Sequence, residues 1–398
     1  MTATVATSLF WIVLVAAAAP LIARALPHRL LPEVVLLLVA GIAIGPFGLG
    51  LAVAGSEIEL LNELGLGLLF LLAGYELDKT ELTGRGGRRA MYTWLLCLGL
   101  AFGVVAALNA AGLHLAEIAV AIALTSTALG TLLPILKDRG LTTTRVGKAV
   151  LNHGAFGELG PVVAMAILLG ARGAFASLLV LAVFALVAVI VGMLPTRLLR
   201  EGTRLLDLVR GGADSTGQTT MRLTMLLLVS LVTVAAVFDL DVILGAFAAG
   251  FILRRLIPDG DHRLESKLEG LGFGFLIPIF FVVSGMAIEV HSVVENPLAL
   301  LVFLALLIVV RGVPVFLSAR FDKREERFST SGSAQLALYS TTGLPIIVAV
   351  TGVAVTAGQM SNASASILVA AGAITVFVLP LIASIVAGRS KSDEPADS

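Results

Sequence analysis

Within the run LNHGAFGELGPVVA, Leu151 to Ala164, a single carboxylate, Glu158, stands among apolar and small residues. Burial in such company favours the neutral acid, while an approaching cation favours the charged form. One group can then hold either a proton or a dehydrated monovalent cation, but not both, which is the elementary chemistry of exchange. Gly154, Gly157 and Gly160, three apart, leave room for close backbone approach, and Pro161 weakens the backbone hydrogen bonding beside the carboxylate. A second charge in an apolar run is Arg311, in LLIVVRGVPVF. It needs a partner, either Glu158 in a static pair or the negative ends of interrupted helices. Two hydroxyl clusters, Thr125-Ser126-Thr127 and Ser340-Thr341-Thr342-Gly343, are each followed by a proline, Pro134 and Pro345. Such hydroxyls can bond back to their own helix. Gly and Pro beside them at matching positions point instead to two broken helices, whose half-helix ends bring partial charges together. Asn152 is a candidate for the access path or for a bond between helices, and His153 for a pH sensor or for a packed neutral ring.

These residues need elements to hold them, and composition decides the solvent those elements see. The chain has 398 residues, 58% of them hydrophobic and 14% charged, with a mean hydropathy of +1.01. No water-soluble domain of that size covers its core with so little polar surface. The expected class is an all-α polytopic membrane protein with the lipid bilayer as its first partner. Acidic and basic residues balance at 27 each, so charge points to no nucleic acid. Cys97 is the single cysteine, which excludes an intrachain disulfide and a cysteine metal site. No nucleotide loop, zinc motif or nucleophilic triad has the required spacing. A transporter is therefore expected rather than an enzyme, with no cofactor beyond the transported ions.

Apolar runs of about 20 residues place about thirteen transmembrane helices near 6–26, 31–52, 60–77, 90–112, 116–136, 145–170, 174–196, 221–238, 241–257, 271–288, 297–319, 333–355 and 363–388. The first, without Lys or Arg before Arg24, reads as a retained helix rather than a signal peptide. All of the 27 Lys and Arg except Arg172 and Arg311 fall in alternate gaps, at the span ends that border those gaps, or after the last span. By the positive-inside rule the N-terminus is outside and the C-terminus cytoplasmic, in the cell's inner membrane. Glu158 lies roughly 20 Å along a helix entered near Arg145, at about 1.5 Å per residue, and so near the bilayer centre. The polar tail, residues 389–398, is too short for a nucleotide-binding domain.

The spans repeat. FLLAGYELD ending the third echoes FVVSGMAIEV ending the tenth; LLLVAGIAIG echoes LGAFAAGFIL, and TSTALGTLLP echoes STTGLPIIVA. Each pair is seven helices apart, and an odd offset reverses direction, so the repeats are inverted. The expected organisation within 1–388 is a first repeat over about 6–170, a linking helix over about 174–196 and a second repeat over about 221–388, with the two broken helices crossed.

The ordered set LPEVVLLLVAGIAIGPFGLG, GLLFLLAGYELD, TSTALGTLLPILKDRG, LGAFAAGFILRR and GFLIPIFFVVSGMAIEV resembles the Kef-type branch of the monovalent cation:proton antiporter superfamily over nearly the whole chain. The resemblance implies the Na+/H+ antiporter fold, a homodimer, and a mobile core domain of six helices moving as an elevator. It implies Glu158 as the cation- and proton-binding residue, the hydroxyls of Thr125, Ser126, Thr127, Ser340, Thr341 and Thr342 around it, and Arg311 as the basic residue of the eleventh helix. Relatives of this kind usually carry Asp, and electrogenic ones two adjacent Asp residues; here Gly157 precedes a lone Glu158, which favours electroneutral one-for-one exchange of Na+ or K+ for H+. A gated potassium-efflux channel and an inverted-repeat carrier of organic anions are the competing expectations.

Overall fold

The computed structural model describes residues 2–25, 32–77, 82–112, 115–169, 174–201, 218–257, 262–321 and 328–392. Its elements in chain order are α1 (Ala3–Ala25), α2 (Glu33–Ile44), α3 (Ser56–Glu76), α4 (Arg85–Ala110), α5 (Glu117–Leu124), α6 (Leu129–Asp138), α7 (Arg145–Leu168), α8 (Ala174–Glu201) and α9 (Thr219–Val237). There follow α10 (Val242–Leu256), α11 (His262–Leu271), α12 (Ile277–Met286), α13 (Val290–Glu295), α14 (Pro297–Leu307), α15 (Val313–Arg320), α16 (Thr330–Ser340), α17 (Leu344–Thr356) and α18 (Asn362–Ser392). Each span expected from hydropathy meets a helix or a helix pair, and the described residues contain no strand. Of the basic residues used to orient the spans, Arg29, Lys79, Arg172, Arg204, Arg210, Lys323, Arg324 and Arg327 lie outside the described residues.

The second span departs from expectation. Hydropathy continues to residue 52, but α2 ends at Ile44 because Pro46 follows Gly45, and the residue before a proline is pushed out of the helical region. The chain then folds back, with Leu49 N donating to Ala43 O at 2.8 Å and Leu51 N to Ile44 O at 2.9 Å. The tenth span differs the other way: its helix begins at His262, before the apolar run.

Two π-helical turns, Gly272–Leu276 and Ile308–Gly312, interrupt the tenth and eleventh spans. Each is followed by a proline at the second position of the next helix, Pro278 in α12 and Pro314 in α15. Proline cannot donate and its ring crowds the carbonyl four residues back; a widened turn relieves that crowding. The second of these turns carries Arg311.

The chain forms two compact units, one of Met1–Ile58, Lys79–Pro161 and Phe281–Ser398, the other of Glu59–Asp78 and Val162–Phe280. In the first, α2 crosses α12 backbone on backbone: a Cβ on Gly41 would fall on the Val282 carbonyl, and one on Gly285 on the Leu38 carbonyl. In the second, α3 crosses α10 in the same way, Gly74 on the Phe247 carbonyl and Gly250 on the Leu71 carbonyl. In all four helices the contacted carbonyl lies three residues before the glycine. The sequence pairs α2 with α10 and α3 with the span containing α12, so one crossing maps onto the other, as an internal repeat requires.

The fifth and twelfth spans are broken where the hydroxyl clusters stand, α5 from α6 at residues 125–128 and α16 from α17 at 341–343. α5 packs on α17, and both α16 and α17 pack on α18. The apolar cluster of the first unit joins α6 (Leu132, Leu136), α7 (Val150), α15 (Val315, Ala319) and α16 (Leu336, Tyr339).

Candidate functional site

Pro161 lies inside the unbroken helix α7 and has no N–H, so the carbonyl of Gly157, four residues earlier, lacks its usual helical donor. Thr127 N, in the break between α5 and α6, donates to it at 3.0 Å. The next residue, Ala128, donates its N–H to Thr342 O in the other break, at 2.9 Å. The two following amides, Leu129 N and Gly130 N, begin α6 and have no acceptor within their own helix. Both donate to Glu158 Oε1, at 2.5 Å and 3.4 Å. The carboxylate, 3% exposed, thus caps the N-terminus of a half-helix, where the backbone dipoles favour negative charge.

The C-terminal ends of the interrupted halves are closed by the hydroxyls. Thr125 Oγ1 donates to Ile122 O at 2.8 Å and Ser126 Oγ to Ala123 O at 2.7 Å; Thr341 Oγ1 donates to Ala337 O and Thr342 Oγ1 to Tyr339 O, both at 2.8 Å. Back-bonding and interruption, alternatives from sequence, occur together here: each hydroxyl takes a last-turn carbonyl as the helix stops. Gly343 is required by the crossing, since a Cβ there would fall on Ser126 Oγ and lie 2.8 Å from Ser126 O.

Arg311, 0% exposed, meets the negative end of α16. Its Nε donates to Ser340 O at 3.4 Å and to Thr127 Oγ1 at 3.2 Å; Nη2 donates to Thr127 Oγ1 at 3.1 Å and to His153 O at 2.8 Å. Its Nη1 lies 3.9 Å from Cys97 Sγ. The Thr127 hydroxyl in turn donates to Ser340 O. The oxygens that Arg311 reaches are those of carbonyls and a hydroxyl: Ser340 O at the broken-helix end, Thr127 Oγ1 in the other break and His153 O on α7. Glu158 and Arg311 therefore bury opposite charges on opposite half-helix ends of one crossing.

The glycine stripe of α7 faces side chains rather than a backbone. Leu129 lies over Gly154 and the Trp94 ring over Gly160. At Gly157 a Cβ would enter the Thr127 side chain and lie 2.8 Å from Arg311 Nη2. Asn152 is not brought to the carboxylate: its amide packs against Gly86 at the start of α4. His153 is 3% exposed, its Nδ1 lies 3.0 Å from Ala149 O, and its Nε2 has no hydrogen-bond partner among the described residues.

Sequence reasoning did not single out Leu129 and Gly130, whose contribution is backbone N–H and carries no side-chain signal. It also passed over Trp94 and the role of Cys97 as a neighbour of Arg311. A mid-span tryptophan and cysteine three residues apart, on the helix face turned to the site, were the available clue.

Interrupted helices crossing at two buried ionisable side chains, within a chain of apolar spans, define a multi-pass membrane protein of inverted-repeat architecture. The sequence from 12 to 388 matches the family described as sodium/hydrogen exchanger, transmembrane, and the chain belongs to that family. It is 26% identical over 363 residues to the putative Na+/H+ antiporter YjbQ of Bacillus subtilis (strain 168), covering 85% of this chain and 57% of that one. It is 30% identical over 299 residues to the glutathione-regulated potassium-efflux system protein KefC of Salmonella paratyphi B, covering 71% of this chain and 46% of that one. The chain thus spans about half the length of the curated relatives it matches. The fold is that of the sodium proton antiporter MjNhaP1 from Methanocaldococcus jannaschii, with a TM-score of 0.66 at 18% identity over 98% of this chain and 99% of that chain. These relatives are named as transport proteins, not as enzymes.

Proposed function

We propose that this chain is a secondary active antiporter exchanging a monovalent cation, Na+ or K+, for H+ across the cytoplasmic membrane, with Glu158 carrying the cation and the proton in turn. The observation that carries this reading is the buried Glu158 carboxylate held by Leu129 N and Gly130 N where the two broken helices cross. Those two donors stabilise the ionised carboxylate, whereas burial stabilises the acid. A group poised between opposed effects is switched by whichever ion arrives. Ionised, the carboxylate offers charge to a dehydrated cation, and the oxygens of Thr125, Ser126, Thr127, Thr341 and Thr342 line the same crossing. Protonated, it has lost that charge and the cation leaves. Arg311 is a fixed countercharge on the other half-helix end and is not itself a cation ligand.

One carboxylate exchanges one proton for one monovalent cation, so the cycle moves no net charge. Gly157 supports this stoichiometry, because Thr127 and Arg311 fill the space a second acid would need. The cycle would run by elevator movement of the body holding the crossing, within a homodimer, with the N-terminus outside.

The test is proton movement in proteoliposomes with an acidic lumen and a pH dye, adding Na+, K+ or Li+ in turn. Dequenching by one cation, lost in Glu158→Gln and unchanged by an imposed membrane potential, is the expected result. The amide oxygen of Gln can still accept from Leu129 N, so the variant should insert and elute like wild type. Exchange at the wild-type rate in Glu158→Gln would sink the assignment. Single-channel events without proton counter-movement would favour a gated potassium channel instead, and inhibition by organic anions an anion carrier.

A further inference from the structure

We infer that the groove between α4 and α15 is a binding site for an anionic phospholipid, with the phosphate on Arg85 and Arg88 and an acyl chain along the apolar wall beyond. The groove has a volume of about 1170 Å³ and is lined by residues of these two helices and by Phe321 just beyond α15; the helices pack on each other within one compact unit. Along α4 its lining runs Arg85, Arg88, Arg89, Tyr92, Leu96 and Leu100, a spacing that keeps them on one helix face. The polarity is graded along that face, with guanidinium groups at one end, a 66% exposed tyrosine next, and exposed leucines further in. The opposite wall, from α15, is apolar through Val313 and Leu317.

The three arginines are not equivalent. Arg89 Nε donates to Ser318 Oγ at 2.9 Å, Arg89 Nη2 donates to Ser318 O, and Thr93 Oγ1 donates to Ser318 Oγ at 3.0 Å; together these clamp α4 to α15 and form the floor of the groove. Arg85 and Arg88 are exposed, and neither guanidinium has a hydrogen-bond or ion-pair partner among the described residues. Two free guanidinium groups side by side suit a phosphate, whose oxygens take the planar donors of arginine well. Tyrosine at this level suits the headgroup boundary, where an amphipathic ring is favoured. An amphiphile with an anionic head and an apolar tail matches charge and apolarity in the order the groove presents them; a free anion matches only one end. The site is separate from the Glu158 carboxylate and does not depend on the proposed transport activity.

The experiment titrates the full-length protein in neutral detergent with fluorescently labelled phosphatidylglycerol. The comparisons are labelled phosphatidylcholine as the zwitterionic control, competition by inorganic phosphate, and three variants: Arg85→Gln/Arg88→Gln, Leu96→Gln, and Arg222→Gln, an exposed arginine of α9 that does not line the groove. At roughly a factor of five per guanidinium near an anionic lipid, the double arginine variant should bind phosphatidylglycerol about thirtyfold more weakly. Leu96→Gln should also weaken binding, while Arg222→Gln and inorganic phosphate should leave it unchanged. All these positions are exposed, and unaltered thermal melting in the absence of lipid confirms folding. Equal binding of phosphatidylcholine, undiminished binding in the double variant, displacement by inorganic phosphate alone, or an equal loss in Arg222→Gln would each overturn the assignment. The last of these would show attraction by surface charge in general.

Discussion

A guanidinium taken out of water is costly unless its donors meet acceptors, and Arg311 spreads its donors over Thr127, Ser340 O and His153 O. Replacing it with methionine removes donors from two buried carbonyl oxygens, Ser340 O and His153 O, and takes the positive charge away from the end of α16. Arg311→Met is therefore expected to lose about 3 kcal/mol of stability, seen as a fall of several degrees in Tm in detergent. Arg311→Lys should fall between the two, because a single ammonium cannot reach all three acceptors. An unchanged Tm in the methionine variant would mean that the half-helix end needs no cation. That Arg311 and Glu158 stand inside spans was legible in the sequence, since a charge inside an apolar run is conspicuous, and both are buried. Which oxygens Arg311 meets was not legible, since hydropathy says nothing of contacts between residues 184 apart such as Arg311 and Thr127.

At the scale of elements, prolines and hydroxyls decide where helices stop, widen or stay whole. Pro161 does not break α7; it frees the Gly157 carbonyl for Thr127 N and so pins the α5–α6 break to α7. Pro161→Ala restores a competing intrahelical donor four residues on. The variant is expected to melt at or above the wild-type Tm, because proline inside a helix costs about 3 kcal/mol, and to slow the proposed cation–proton exchange several-fold. Wild-type exchange would show that the bond from Thr127 N to Gly157 O is dispensable. The two breaks were foreseen because Thr-Ser-Thr and Ser-Thr-Thr-Gly are local signals. The early end of α2 was misjudged because apolarity continued past Pro46, and there the proline outweighed hydropathy.

For the molecule as a whole, the repeated glycine crossings give a direct test of internal symmetry. Gly41 and Gly250 are counterparts, each against a carbonyl of the crossing helix. Gly41→Ala and Gly250→Ala are expected to destabilise by similar amounts, about 1–3 kcal/mol each, measured as loss of Tm. A large effect at one position and none at the other would count against equivalence. The sequence by itself determined the solvent, the all-helical class, the places where two helices break and the two charges buried within spans. All of these follow from properties carried residue by residue: transfer free energy, a missing N–H, a short polar side chain beside the backbone. Only the tertiary structure decided that Glu158 caps α6 through Leu129 and Gly130, and that Arg311 faces the end of α16. Backbone amides are identical along the chain, so their partners are set by which segments cross, and that is settled by packing among residues far apart in sequence.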